Sequence, residues 1–213
     1  MDSLTWNIKS KGPYELKLPK SKTTEKFYIS ALKLTDIPQI ASLLGPTNIN
    51  SIDIHKNLSM LPNPYTLSDA EYFVNKCITD YTKSLQCNVW AIRNSNEELI
   101  GCIGLHKFKG KYFVDEQDKK LFNDDGYEIG YYISLEYRSL GIVSSAVNFV
   151  CDEIAFKELH LDYIYGNAFM DNENSQNVLK RCGFKFVKSL KNALEKDGEK
   201  RDVYWSIKER PIQ

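Results

Sequence analysis

The sequence lacks an excess of charge of either sign. Its 213 residues carry 28 Lys plus Arg against 28 Asp plus Glu, a formal net charge of zero. A nucleic-acid binder usually shows a basic excess that neutralises phosphates and releases their counterions. The balance therefore argues against that class, although it leaves room for a local basic patch. Cysteine is sparse as well. The five thiols, Cys77, Cys87, Cys102, Cys151 and Cys182, are odd in number and form no CxxC pair. That argues against a disulfide framework or a zinc site, and for reduced, mostly buried thiols in a cytoplasmic or nuclear compartment. No apolar run reaches the roughly 20 residues of a membrane-crossing helix. Residues 1–24 are rich in lysine and have no apolar centre of the kind a secretory signal needs. What is present is an ordinary globular composition, 42% hydrophobic and 26% charged, over a length that suits one sizeable core.

Residues 1–25 read as an extended arm wrapped on the domain, with Lys9, Lys11, Lys17, Lys20 and Lys22 solvated and a short strand near Trp6. Residues 26–213 read as one domain. A strand over 27–34 leads to a helix capped by Thr35 or Asp36, with Pro38 in its first turn, ending near Gly45-Pro46. Ala70, Phe73, Val74, Cys77, Ile78 and Tyr81 recur at helical spacing over 69–85, and Ser68 with Glu71 has the spacing of a capping box. Strands at 88–93 and 99–105 form a hairpin closed by Asn94-Ser95-Asn96. The hydrophilic stretch 107–126 is long for a strand connection, as lids are, and is expected to shape the side of a cleft. A strand at 127–135, a helix at 143–156, a strand at 162–169, a helix at 174–182 stopped by Gly183, and strands at 184–190 and 201–207 complete the chain. This order predicts an α/β fold: a mixed, mostly antiparallel central sheet flanked by helices, with a central βαβ crossover.

The strand over 127–135 runs into Arg138-Ser139-Leu140-Gly141, and a helix starts at once with Ile142, Val143 and Ser144. A tight loop at a helix start aims backbone N–H groups at one spot, and the helix dipole adds partial positive charge there. The result suits a diphosphate. Gly141 allows positive φ or close approach, Arg138 adds a charge, and Ser144 or Ser145 a hydroxyl. Taken alone, the same junction is also a common connection with no ligand.

Four segments stand in order along the chain: Pro64-Tyr65-Thr66 with Asp69-Ala70; Glu128-Ile129-Gly130-Tyr131; Arg138 through Val143 with Gly141; and Asn172 with Ser175, Val178-Leu179 and Gly183-Phe184. With them the chain resembles the GNAT superfamily over residues 26–207, in particular the branch of RimJ/RimL-type ribosomal-protein N-terminal acetyltransferases. The resemblance implies a GNAT-like domain holding acetyl-CoA and no metal. Arg138, Ser139, Leu140, Gly141, Ile142, Val143 and Ser144 would take the diphosphate. The backbone of Tyr131 and Ile133 would face the pantetheine arm in a slot where that strand splays from its neighbour. Asn172 and Ser175 would lie near the far end of the arm, or serve as helix caps. Glu128 is the candidate base, or else a salt-bridge partner.

Three positions depart from the family. Leu135 replaces a frequent proline, and Val143 stands where Gly or Ala is usual. Leu179 stands where many members place a tyrosine as general acid, a role left to Tyr163, Tyr165 or Ser175. His106 and Cys182 read as structural. The implied activity is transfer of an acetyl group from acetyl-CoA to a primary amine (a protein N-terminus, a lysine or a small molecule) by direct attack on the thioester. A catalytically degenerate binding or regulatory domain is the alternative. The partner is then a peptide or small-molecule amine, not nucleic acid or membrane, in the cytoplasm or nucleus; the oligomeric state is not legible.

Overall fold

A computed structural model describes residues 12–18, 23–84, 88–108 and 126–211. Within these residues eight strands form one sheet. They are β1 (Tyr14–Glu15), β2 (Tyr28–Ala31), β3 (Val89–Arg93), β4 (Leu99–Lys107), β5 (Tyr127–Ile133), β6 (Tyr163–Phe169), β7 (Lys185–Lys196) and β8 (Glu199–Glu209), in the spatial order β1-β2-β3-β4-β5-β6-β8-β7. The helices are α1 (Ile37–Leu44), α2 (Ile49–Asn57), α3 (Leu67–Ser84), α4 (Ile142–Phe149, continuing in wider π-type turns over Val150–Glu158) and α5 (Glu173–Arg181). Every neighbouring strand pair is antiparallel except β5 and β6, which are joined through α4. This is the expected βαβ crossover.

The sheet divides two cores because strand side chains alternate between its faces. On β3, Trp90 and Ile92 join α4 and α5, while Val89 and Ala91 join α1, α2 and α3. All five residues of β3 are buried, as in a strand covered on both faces. A third apolar cluster, with Tyr165, Phe169, Val203 and Trp205, fills the end of the sheet formed by β6, β7 and β8. The start of α1 is tied to the sheet by a buried pair. Arg93 donates to both carboxylate oxygens of Asp36 at 2.8 Å, and its Nε donates to Ser30. Such bidentate geometry is what makes a buried charge tolerable.

The structure moves several boundaries. α3 begins at Leu67, so its reciprocal cap is Thr66 with Asp69, not Ser68 with Glu71: the Asp69 carboxylate accepts from the Thr66 N–H at 2.8 Å, and the Asp69 N–H donates to the Thr66 hydroxyl at 3.3 Å. α2 was not anticipated. It starts at Asn48, whose side chain accepts from the Asn50 N–H at 2.9 Å. β7 and β8 extend well past the expected strands, and two register shifts in β7 interrupt the alternation that marks a strand. The arm over residues 12–18 packs across α4: Leu16 is buried, the Tyr14 ring lies 4.7 Å from that of Phe149, and the Lys17 carbonyl accepts from Ser145. Trp6 and residues 109–125, the greater part of the expected lid, lie outside the described residues.

α5 ends in a Schellman motif at Gly183 (φ +85), with Phe184 N–H donating to Leu179 and Gly183 N–H to Lys180. That turn sets Leu179 and Phe184 against Gly166 of β6, where an added Cβ would lie 2.6 Å from Leu179 Cδ2 and 2.9 Å from Phe184 Cδ1. Gly166→Ala is therefore expected to cost about 1–3 kcal/mol through overpacking, seen as a lowered midpoint in denaturant titration. An unchanged midpoint would show that Leu179 and Phe184 are free to give way.

Candidate functional site

β5 and β6 pair only at Glu128↔Tyr165 and Ile129↔Gly166. Beyond Ile129, β5 continues with β4 as far as Ile133, and β6 continues with β8 as far as Phe169. The sheet thus splits at the carboxyl ends of its two parallel strands, the place where open α/β sheets hold ligands. A cleft of about 780 Å³ occupies the split, within the range of roughly 300–1,000 Å³ typical of small-molecule sites.

One end of the cleft is built for an anion. Gly141 adopts φ +85 and ψ 1 immediately before α4, and Ser139 also has positive φ. The first intrahelical bond runs from the Ser145 N–H to the Gly141 carbonyl at 3.0 Å. The N–H groups of Ile142, Val143 and Ser144 precede it, so the helix itself cannot satisfy them. No side chain caps this helix. Of the two candidate hydroxyls, Ser145 is committed to the Lys17 carbonyl, while Ser144 lines the cleft. Arg138 also lines the cleft, and its guanidinium pairs with Asp53 of α2 at 2.5 Å. One turn earlier on α2, the Asn50 side chain accepts from the Leu135 N–H at 2.6 Å. α2 therefore braces the loop at both ends, and Asp53 already engages the Arg138 guanidinium. Leu140 packs against the core and is not among the cleft-lining residues.

Val143 is half-buried, packed on the core and also at the cleft wall. Because Val143 packs on the core as well as at the cleft wall, Val143→Ala is expected to change the dissociation constant of acetyl-CoA by less than about threefold, under 1 kcal/mol. Strong tightening in the Ala variant would show instead that Val143 obstructs the anion site.

At the other end β5 presents two faces. Tyr131 points toward α5, where its hydroxyl lies 2.9 Å from Ser175 Oγ and donates to the Ser175 carbonyl at 3.2 Å. Burial pushes the Tyr131 phenol well above its ordinary pKa, so it stays protonated. Asn172 is the cap of α5, accepting from the Ser175 N–H at 3.1 Å. Ser175 is thus one turn inside the helix with its hydroxyl on Tyr131, and both Asn172 and Ser175 line the cleft.

On the opposite face, Glu128 sits beside Asn167 of β6, which donates to it at 2.8 Å across the narrow end of the split. His106 is the cross-strand partner of Glu128. Its ring lies over Gly104, where a Cβ would come within 2.4 Å of Nε2. His106 keeps an exposed edge, and partial desolvation by the protein around it, and secondarily Lys76, lower its pKa, so the imidazole is neutral at pH 7. His106, read from the sequence as structural, lines the cleft next to Glu128. Tyr163 and Tyr165 pack with the third cluster and do not line the cleft, and Leu179 is buried, so neither tyrosine stands in for the family's helical one. Cys182 is buried, and Cys102 has its thiol pushed up to about 12 by burial, which leaves it no thiolate character.

The sequence matches the model of the acetyltransferase (GNAT) domain over residues 26–185. The chain belongs to the GNAT acetyltransferase family. It is 28% identical over 200 residues to the candidate ribosomal N-acetyltransferase YdaF of Bacillus subtilis (strain 168), covering 89% of this chain and 94% of that one. Among solved structures it is similar to Mycobacterium smegmatis RimJ in complex with CoA-disulfide, at TM-score 0.70 and 16% identity, covering 92% of this chain and 86% of that one. It is also similar to RimL, a ribosomal L7/L12 α-N-protein acetyltransferase in complex with coenzyme A, at TM-score 0.69 and 16% identity, covering 92% and 98%.

Within this GNAT fold, Glu128, Tyr131, Ile133, Arg138, Ser139, Gly141, Ile142, Val143, Ser144, Asn172 and Ser175 all border one cleft. Asp53, His106 and Asn167 join them, and each needed tertiary information, as did Asn50, which holds the Leu135 N–H behind the loop. Asn167 meets Glu128 only through the β5–β6 register, and Asp53 meets Arg138 only because α2 folds over the loop.

Proposed function

We propose that this GNAT enzyme uses acetyl-CoA to acetylate the α-amino group of a peptide or protein, in the cytoplasm. One observation carries the reading: the split between β5 and β6 runs from the uncapped N-terminus of α4, behind Gly141, to the carboxylate of Glu128. The anion end suits the cofactor diphosphate, with the N–H groups of Ile142, Val143 and Ser144, the hydroxyl of Ser144 and the Arg138 guanidinium as donors. The edge of β5 from Gly130 to Ile133, unpaired on the β6 side, suits the amide-bearing pantetheine arm. The ribosomal relatives favour a protein amine as acceptor.

Holding amine and thioester together supplies most of the acceleration. The neutral amine attacks the thioester carbonyl, a C–N bond forms and the C–S bond breaks. Glu128 takes the proton from the attacking nitrogen, directly or through a water, while Asn167 fixes the carboxylate. The Ser175 hydroxyl, oriented by Tyr131, donates a hydrogen bond to the departing sulfur.

Isothermal titration with acetyl-CoA, followed by turnover against peptides and polyamines, tests the reading. Binding together with peptide acetylation is expected. Tight binding with no amine acetylated would favour the degenerate domain, and preference for a polyamine over every peptide would reassign the acceptor.

A further inference from the structure

On the Glu128 face of the sheet the cleft is walled by α3 and by the connection that leads into it. Asp69, Tyr72 and Phe73 line it at the spacing of one helix face. Met60 and Leu61 line it from the α2–α3 connection. Leu61 and Phe73 are half-buried on the core under α1–α3, whereas Met60 is 73% and Tyr72 71% exposed. The wall therefore includes apolar side chains anchored in the core and others open to solvent. Single exposed apolar residues need no explanation. Here, however, two of the nine large exposed apolar residues among those described, Met60 and Tyr72, line the cleft together, beside the half-buried Leu61 and Phe73.

The charges on this wall have one sign. The Asp69 carboxylate accepts from the Thr66 N–H at 2.8 Å and from its hydroxyl at 2.6 Å, which holds its pKa below the ordinary value and keeps it ionised. The cations that line the cleft, Arg138 and Arg181, come from the phosphate loop and the end of α5. Lys76, one turn further along α3, is paired with Asp80. Among the described residues, then, an amine entering toward Glu128 passes apolar surface and carboxylates, with no Lys or Arg in the wall.

Resting on the acetyl-transfer reading of this cleft, we propose that Met60, Leu61, Tyr72 and Phe73 form a subsite for the side chain next to the acceptor amine, which takes an apolar group and, through Asp69 and Glu128, rejects an acidic one. An apolar side chain leaves water on the wall, while an acidic one must approach two carboxylates in a partly desolvated site. The acceptor class is thus an amine flanked by an aliphatic or aromatic group, such as a peptide beginning with Met, Leu or Phe.

The test compares kcat/KM for peptides that differ only in a first residue of Leu, Ala, Asn or Asp. Leu-first is expected to exceed Ala-first by about tenfold or more, the order that a hydrophobic pocket supplies. Asn-first should exceed Asp-first by a similar factor, and that factor should shrink in high salt. Met60→Ala combined with Tyr72→Ala, both at exposed positions, should lower the Leu/Ala ratio and leave the Asn/Asp ratio. Asp69→Asn, which keeps an oxygen for the cap, should do the reverse.

A parallel panel of phenethylamine, ethanolamine and spermidine separates the two levels of inference. If phenethylamine is favoured while no peptide reacts, the peptide reading falls and the subsite stands. If no amine reacts at all, the same ratios are read from dissociation constants measured in the presence of coenzyme A. Flat ratios, a preference for Asp-first peptides or for spermidine, or ratios unmoved by both sets of variants would overturn the subsite.

Discussion

Replacing Gly141 by Glu is expected to remove measurable acetyl-CoA binding in isothermal titration while the chain still folds. Two effects act in the same direction. Gly141 sits at φ +85, where an L-residue costs about 1–2 kcal/mol, so any side chain shifts the loop that precedes α4. The added carboxylate also lies at the uncapped N-terminus of α4, the position that attracts anions. It satisfies the N–H groups of Ile142, Val143 and Ser144 from within the chain and repels the incoming diphosphate. Gly141→Ala separates the effects. It carries the backbone strain without the charge, and its loss should be about tenfold, in line with 1–2 kcal/mol. A circular dichroism melt checks folding in both variants. Wild-type affinity in folded Gly141→Glu would show that the diphosphate lies elsewhere.

That loop shows why part of the site can be read along the chain. Gly141 and the residues around it form a turn at a local helix start, so the geometry that leaves their N–H groups free of the helix is encoded within a few consecutive positions. The same holds for Asn172 as a cap and Gly183 as a helix stop. The parallel β5–β6 pair follows from the order strand–helix–strand, whereas its splitting beyond Ile129 was implied only by the family resemblance. What is not local is not legible in this way. α2 carries a polar sequence with little periodic apolar signal, INSIDIHKN, and only its tertiary position makes Asn50 and Asp53 partners of the phosphate loop. His106 is one polar residue near the end of a strand until the register places it beside Glu128 and Gly104 makes room for its ring. Tyr163 and Tyr165 illustrate the opposite error. They have the right chemistry for a proton donor, but they pack in the third cluster, Tyr165 against Phe108 and Trp205, and do not line the cleft that Asn167, on the same face of β6, reaches. Tyr131, valued in the sequence for its backbone, is the tyrosine whose hydroxyl reaches Ser175.

The pairing of Arg138 with Asp53 gives the phosphate loop a second role. α2 contributes Ile54 and Asn57 to the cleft wall as well as Asp53 to the Arg138 pair, so one short helix touches both the loop and the Glu128 face of the cleft. The opposite flank of α2 is held as well: His55 meets Asp197 at 3.0 Å, and Arg201 donates to the Lys56 carbonyl at 3.0 Å, so α2 is clamped between the loop and the β7–β8 hairpin. The two ends of the cleft therefore share α2 as a structural element.

Glu128→Gln is expected to lower kcat/KM by about 100-fold at pH 7, within the range of general-base catalysis, and by much less at pH 9. The amide oxygen can still accept from Asn167, which donates to Glu128 at 2.8 Å, so the variant removes the proton acceptor while retaining the side-chain geometry. An α-amino group has a pKa of about 7.7–8.0. At pH 7 most of the acceptor is protonated and the base must remove a proton before or during attack. At pH 9 the amine arrives neutral, and the deficit narrows to what is needed to clear the proton released as the C–N bond forms. A lysine acceptor, with a pKa of about 10.4, would keep nearly the full deficit at both pH values, so the profile also reports which amine is used. His106 supplies the competing assignment. Its lowered pKa leaves it unprotonated at pH 7 and able to accept a proton, and it faces Glu128 across the β4–β5 ladder. His106→Gln measured over the same range decides between them. With Glu128 as the base, the histidine variant shows a modest deficit that does not depend on pH. If instead the glutamine variant of Glu128 is flat with pH and the histidine variant carries the pH-dependent loss, the proton goes to the imidazole and Glu128 only orients it.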